Sequence, residues 1–389
     1  MKRAGIFLII LLFIIAESRG QKQVVDDDII KVDITKRYSQ KKELILQDFM
    51  DVEYVVLETN DDFLNQGIVK AIGKDIILVT NRISDGDIFI YDRTGKAVRK
   101  INRKGQGSEE YNYYSKIVLD EDNGEIFVFD LGKNLVYDLY GKFKRSFKPR
   151  EGATNLTSYH DVFNYDKDNL ICHELISEEV AFFLISKQDG SITKEIKIPV
   201  KEKESLMRAG PYIEGQGSIF YGGAVYSSII PYNSNWVFCD ISSDTMFTFL
   251  PDYSLSPFLI RTPPVKSTDP SIALIFRFFS DRYYFMETVK NEFDLDTKEG
   301  FYKTFFMYDK QEKACFNYTI YDGDYSIRRE MYLNMLRPVN HEIESWQPIQ
   351  AHQLVESYKK GELKGKLKEI ASKLDEEDNP VIMLIKHKK

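Results

Sequence analysis

A chain of 389 residues with 43% hydrophobic and 29% charged positions has an ordinary globular balance, which rules out a wholly disordered protein and permits a sizeable core. The formal charge of -7 is spread through the chain with Lys and Arg mixed among the acids, so neither a nucleic-acid footprint nor a polybasic membrane patch stands out. With 24 Tyr and 26 Phe recurring beside β-branched residues in short runs, the composition favours strands packed face to face over helix bundles.

At the N-terminus, Lys2 and Arg3 precede the apolar run Ile6–Ala16, and the small residues Ser18 and Gly20 follow. That order reads as a cleaved secretory signal peptide over residues 1–20. The run is shorter than the roughly 20 apolar residues of a spanning helix, so no transmembrane span is expected in the mature chain. No Cys follows the small residues, so a lipoprotein is not expected, and the predicted location is the periplasm or the cell surface. Residues 21–42 read as an N-terminal linker.

The first strong strand is Val52–Leu57, and a repeat begins after it. Ile77–Thr80, Asp87–Tyr91, the turn Asp92-Arg93-Thr94-Gly95-Lys96 and Val98–Ile101 match Ile126–Asp130, Leu135–Tyr137, Asp138-Leu139-Tyr140-Gly141-Lys142 and Phe143–Phe147. In each turn Gly supplies a positive φ and Asp holds its own backbone. A weaker third unit comprises Leu170–His173, Val180–Ser186, Lys187–Gly190 and Ile192–Ile198. The fourth runs through Trp236–Asp240, Met246–Leu250, Pro251–Ser254 and Leu255–Ile260. The fifth runs through Ile272–Phe279, Arg282–Glu287, Phe301–Tyr308, Asp309–Glu312 and Ala314–Ile320. A period of about 40 to 50 residues with four strands is that of a propeller blade.

Val52–Leu57, Ile343–Ile349 and Val381–Lys386 remain, and together they make a sixth blade shared between the two ends. The expected fold is all-β: a six-bladed β-propeller over residues 43–389, closed by N- and C-terminal strands. Apolar residues at near-helical spacing in His352–Leu374, ended by Pro380, predict a C-terminal helical segment lying across the ring. Two inserts, Pro199–Ser218 and Val289–Gly300, interrupt the repeat and should project from a face, where ligands commonly bind.

Chemistry-bearing motifs are scarce. No Gly-x-Ser-x-Gly elbow occurs, Gly105-x-Gly107 opens no helix, and the five histidines show no close pair at metal-ligand spacing. Acid pairs occur at Asp322/Asp324, Asp294/Asp296 and Asp26–Asp28, but calcium needs six to eight oxygens, and the Asp294-x-Asp296 segment lacks the Gly and distal Glu of an EF-hand. Cys172, Cys239 and Cys315 each lie in an apolar run and read as buried thiols, not a disulfide framework. No catalytic residue, metal site or cofactor is therefore assigned. The candidate ligand-binding residues are Tyr111, Tyr113 and Tyr114, where an aromatic face with a polar tip suits a sugar or peptide, and Arg208, Tyr212, Tyr221 and Tyr226 in the loop stretch Arg208–Tyr226, which begins in the first insert. Innermost strands such as Ile117–Leu119 read as mainly apolar.

The run Tyr91–Lys96, then Lys104-Gly105-Gln106-Gly107-Ser108-Glu109-Glu110-Tyr111, then Glu125–Asp130, resembles a six-bladed β-propeller family common in Bacteroides-type bacteria and, more distantly, NHL-repeat propellers. Ser108 and Glu109 stand where that family has Pro-Gly, and the tail with Asp378-Asn379-Pro380 resembles its closing segment. The resemblance implies export and no general activity. The expected function is thus an exported, non-catalytic propeller that binds a peptide, glycan or protein partner or serves in envelope assembly. The alternative is a calcium-dependent hydrolase or lyase on an NHL-like ring.

Overall fold

The repeated turn explains the repeated blade. Asp92 Oδ1 accepts from the Thr94 and Lys96 amides at 2.8 and 3.0 Å, and Asp138 Oδ1 does the same for Tyr140 and Lys142 at 2.8 and 2.9 Å. Gly95 and Gly141 follow with φ of +91° and +78°. Glycine is needed there for space as well as for φ. A Cβ on Gly95 would lie 2.0 Å from the Val56 carbonyl oxygen, and one on Gly141 would lie 2.7 Å from Ile101, both on the outer strand of the preceding blade. The turn therefore sets both the hairpin and the blade-to-blade contact.

The computed structural model describes residues 29–82, 85–130, 132–149, 159–175, 181–213 and 217–388. The signal peptide read over residues 1–20 and the acids Asp26–Asp28 lie outside the described residues. The strands form a ring of six blades, each antiparallel from the centre outward. Blade 1 is Ile68–Ile72, Ile76–Thr80, Asp87–Asp92 and Ala97–Asn102, and blade 2 is Lys116–Asp120, Glu125–Asp130, Lys133–Asp138 and Phe143–Phe147. Blade 3 is Asp161–Asn164, Asn169–His173, Phe182–Ser186 and Ile192–Ile196, and blade 4 is Ile229–Tyr232, Asn235–Phe238, Thr245–Phe249 and Leu255–Thr262. Blade 5 is Ile272–Phe279, Tyr283–Lys290, Lys303–Asp309 and Ala314–Tyr321.

Blade 6 closes the ring as the sequence predicts. Val381–Lys386 lies between Ile343–Ile349 on its inner side and Asp51–Val56 on its outer side, antiparallel to both. Within the stretch read as a linker, Ile30–Asp33 pairs in parallel with the outer strand of blade 4, and Lys41–Ile45, which starts at its end, pairs in the same way with that of blade 5. The N-terminal segment thus runs as a belt over the rims of blades 4, 5 and 6, covering edges that would otherwise offer unpaired amides. Its sequence, Ile30-Lys31-Val32-Asp33, has one buried apolar residue, Val32, and is too short to register as a strand by pattern.

Cores form between blades. Glu125–Asp130 is buried along its whole length, and Phe127 and Phe129 pack with Leu170 and Phe183 of the next blade. Each such aromatic contributes about 1.5–3 kcal/mol by leaving water. The C-terminal helices Ala351–Lys359 and Gly365–Ala371 bury Leu354 and Leu367 against blades 5 and 6, with Leu363 of the link between them, so their amphipathic pattern is a packing device. All three cysteines are free, with Cys172 and Cys239 buried.

Candidate functional site

The innermost strands of blades 1, 2 and 3, with the segment from Arg337 to Glu342 that leads into blade 6, line a central cavity of about 610 Å³. Ile117, Val118 and Leu119 line it as apolar residues, but charged side chains stand among them. Lys70, Lys116, Asp161 and Arg337 all face it, and both tryptophans of the chain, Trp236 and Trp346, form part of the lining with His341.

One of these charges, Lys70, sits at a bulge, as do two further charged residues on inner strands. The pairing register of blade 1 slips between Val69 and Ala71, leaving Lys70 as the extra residue. In blade 5 it slips between Phe276 and Phe278, leaving Arg277, and in blade 6 between Ile343 and Ser345, leaving Glu344. A bulge re-aims one side chain without disturbing the alternation on either side. Three charged residues are thereby placed on otherwise apolar strands. Arg277 is answered by buried Glu287 and by the Val225 carbonyl. Glu344 accepts the Phe279 amide at 2.8 Å and lies 3.2 Å from His387, and burial pushes its carboxyl above the usual range.

Lys70 and Lys116 are not answered in this way. Neither ammonium has a carboxylate within ion-pairing distance among the described residues. Burial lowers both from the ordinary lysine value; Lys116 also lowers Lys70, while Lys116 itself is partly raised by Asp161 and lowered by Arg337. Lys70 sits 5.7 Å from the Tyr114 ring centroid. Asp161 is the carboxylate among these cations, and its Oδ2 is already committed. It accepts the Ser228 and Ile229 amides at 2.5 and 3.1 Å, tying blade 3 to blade 4. Arg337 donates to the Tyr226 carbonyl and, at 3.3 Å, to the Ser227 hydroxyl. Lys116 and Arg337 flank Asp161, with Lys70 beside Lys116. Although Glu121, Asp122 and Glu342 also line the cavity with Lys74, this local group of three cations around one committed carboxylate favours an anionic guest.

Of the residues singled out from sequence, Tyr114 and Tyr226 stand beside this centre. Tyr226 is buried, its ring 4.8 Å from His160. Tyr111 is fully buried between blades 1 and 2, donating to the Gly86 carbonyl at 2.6 Å, and Tyr113 is exposed and stacked on Tyr114. The two inserts meet each other: Arg208 donates to Asn291 Oδ1 at 2.8 Å, and Tyr221 stacks on Phe293 at 4.9 Å. Tyr212 is exposed near the far end of the first insert's hairpin. Asp322 and Asp324 accept from Gln47, and Asp324 also from Tyr54, so these acids bind the chain's own side chains. The histidines hold a surprise: His160 and His173, distant in sequence, come together with ring centroids 5.5 Å apart.

His341, in the cavity wall 4.8 Å from Trp236, has a pKa lowered to about 4, by burial and then by His387. The unfolded chain binds its proton near pH 6.5 and the folded chain near 4, so the folded state is favoured above pH 6.5 and loses that advantage as pH falls through this window. Between pH 7 and pH 5 the loss from this group is about 2 kcal/mol. A His341→Gln variant should therefore lose about 2 kcal/mol less than the parent over that interval, measured as the change in urea midpoint. Equal losses in both proteins would refute the assignment.

The fold and the cavity define a six-bladed β-propeller with a charged central channel. The chain belongs to the family described as Domain of unknown function (DUF4934), matched over residues 29–386. No curated protein matches it. Among solved structures it is similar to a Bacteroides fragilis protein predicted to be exported, at 16% identity and a TM-score of 0.55, covering 93% of this chain and 100% of that one. It is also similar, at 11% identity and a TM-score of 0.43, to a member of the DUF4221 family from Bacteroides vulgatus, covering 72% of this chain and 92% of that one. Among the described residues no helix is long and apolar enough to cross a membrane.

Proposed function

We propose that this protein is an exported binding propeller whose central channel takes a carboxylate-bearing glycan. The observation that carries the reading is the pair Lys70 and Lys116, two partly desolvated ammonium groups that form no ion pair among the described residues, with Asp161 alone offsetting Lys116 from nearby. Like charges held together in a partly dry channel destabilise the empty protein, and an incoming carboxylate removes that cost while forming charge-assisted hydrogen bonds. Trp236, Trp346 and His341 supply aromatic faces on which a sugar ring can lie. Export is supported by the order of Lys2, Arg3, Ile6–Ala16 and Gly20.

A calcium-dependent hydrolase would need six to eight oxygen ligands, and cations surround Asp161 in this channel, so the donor set favours binding of an anion over calcium chemistry. Because both tryptophans line the cavity, intrinsic fluorescence reports occupancy directly. Titration with short oligogalacturonides should change the emission saturably, more weakly as salt is raised, while neutral oligosaccharides of equal length leave it unchanged. A saturable response to acidic peptides alone would replace the glycan by a peptide. No response to any acidic ligand would overturn the proposal.

A further inference from the structure

We infer that His160, Asp161 and His173 form a binding site for a divalent transition metal of the zinc class, at the boundary of blades 3 and 4. One nitrogen from each imidazole and one carboxylate oxygen lie within 4.8 Å of one another. The hairpin of blade 3 makes this juxtaposition: Asp161 is paired directly with His173 across the strands, and the His160 amide donates to the His173 carbonyl at 2.7 Å. Side-chain rotation brings such atoms to the roughly 3.4 Å separation of two ligands each about 2.1 Å from a tetrahedral ion.

A second observation points to a ligand. His173 is 1% exposed, yet Nδ1 has no hydrogen-bond partner, and Nε2 of buried-side His160 has none either. Buried polar atoms are ordinarily satisfied, so unpaired imidazole nitrogens on two adjoining residues mark a place for an electrophile. The outer layer is of the expected kind. Asp240 Oδ2 lies 3.7 Å from His173 Nε2 and is itself held by Lys203 at 3.0 Å, a carboxylate placed to orient a ligating imidazole. Phe182 and Tyr226 pack on the two rings at 4.5 and 4.8 Å.

Two imidazoles and one carboxylate suit zinc, cobalt, nickel or copper, whereas calcium and magnesium demand more oxygens than are present. Lys116 and Arg337 flank Asp161 and oppose any cation, which further disfavours ions held by charge alone. The inference shares Asp161 with the channel of the glycan reading but rests on the two imidazoles, which that reading does not use, and Co²⁺ binding is measured without any glycan.

The test uses residues 21–389 stripped with chelator and titrated with Co²⁺. One equivalent should bind with visible d–d absorption and be displaced by Zn²⁺. His160→Gln, a half-buried position, should weaken Co²⁺ by more than the roughly 10–100-fold that outer-shell changes cost, and Asp240→Asn should fall within that range. His352→Gln, on the C-terminal helix, should change nothing. Absence of d–d absorption at excess Co²⁺, or the same affinity in parent and in His160→Gln, overturns the site; circular dichroism confirms that each variant is folded.

Discussion

A Lys116→Met variant should lose roughly 10- to 100-fold in affinity for an acidic oligosaccharide and yet melt at a higher temperature than the parent. The loss follows from the about 1.5–3 kcal/mol carried by a hydrogen bond to a charged group, at 1.4 kcal/mol per tenfold. The gain follows from what Lys116 does in the unliganded ring. Its ammonium is partly desolvated, repelled by Arg337 and Lys70, and balanced only through Asp161. A methionine keeps the length and apolar stem of the side chain and removes the charge, an exchange that proteins commonly tolerate or gain from. Activity and stability then move in opposite directions, which is the behaviour of a functional group and not of a structural one. Lys359→Met is the control, because Lys359 lies on a C-terminal helix outside the cavity lining, is exposed and is paired with Glu376 at 2.7 Å. Fluorescence titration and a thermal melt decide the matter. A Lys116→Met protein that binds normally, or that is strongly destabilised, would show the ammonium to be part of the scaffold.

What could be read from the chain depended on whether a local rule governed it. The Asp-x-x-Gly turns were legible because φ, hydrogen bonding and the approach of the previous blade all act on the same few residues, as at Asp92 and Gly95. Closure by Val52–Leu57 and Val381–Lys386 followed from counting strands once the turns were placed. The innermost strands were harder. Ile68–Ile72 and Asp161–Asn164 are short, and a bulge at Lys70 breaks the alternation that would have announced a channel-facing residue. The same holds for Arg277 and Glu344, whose neighbours in sequence are those of ordinary core strands. His160 and His173 escaped notice because no spacing rule links them; only the register of the blade 3 hairpin does. The Tyr111–Tyr114 run was ambiguous from the outset, since aromatics beside a Gly loop serve packing and binding alike. In the ring Tyr111 packs, Tyr114 borders Lys70, and Tyr113 is exposed.

Ending the chain at Asp378 should leave no cooperatively folded protein. The strand removed, Val381–Lys386, is the middle strand of blade 6, so both of its ladders are lost at once. Val381, Ile382, Met383, Leu384 and Ile385 are each 0–1% exposed. At about 1.5–3 kcal/mol per side chain, their burial is on the order of 10 kcal/mol, comparable with the whole stability of a typical domain. Asn379 goes with them. Its amide nitrogen donates to the carbonyls of Glu58 and Phe63, and its oxygen accepts the Asn65 amide at 2.9 Å, so it fixes the passage from blade 6 into blade 1. Without this strand, Asp51–Val56 has no partner, the belt over blades 4 and 5 ends on an unpaired edge, and the ring is open between its first and last blades. The local units are intact, so the truncated chain should retain β-type far-ultraviolet dichroism but lose its near-ultraviolet signal and its resistance to protease. A synthetic peptide spanning Asn379–Lys388, added in trans, should restore both, because the missing strand needs only its two ladders and its apolar face to dock. A truncated protein that melts cooperatively within a few degrees of the parent would mean that the ring is held by its blade-to-blade cores and not by the strand its two ends share.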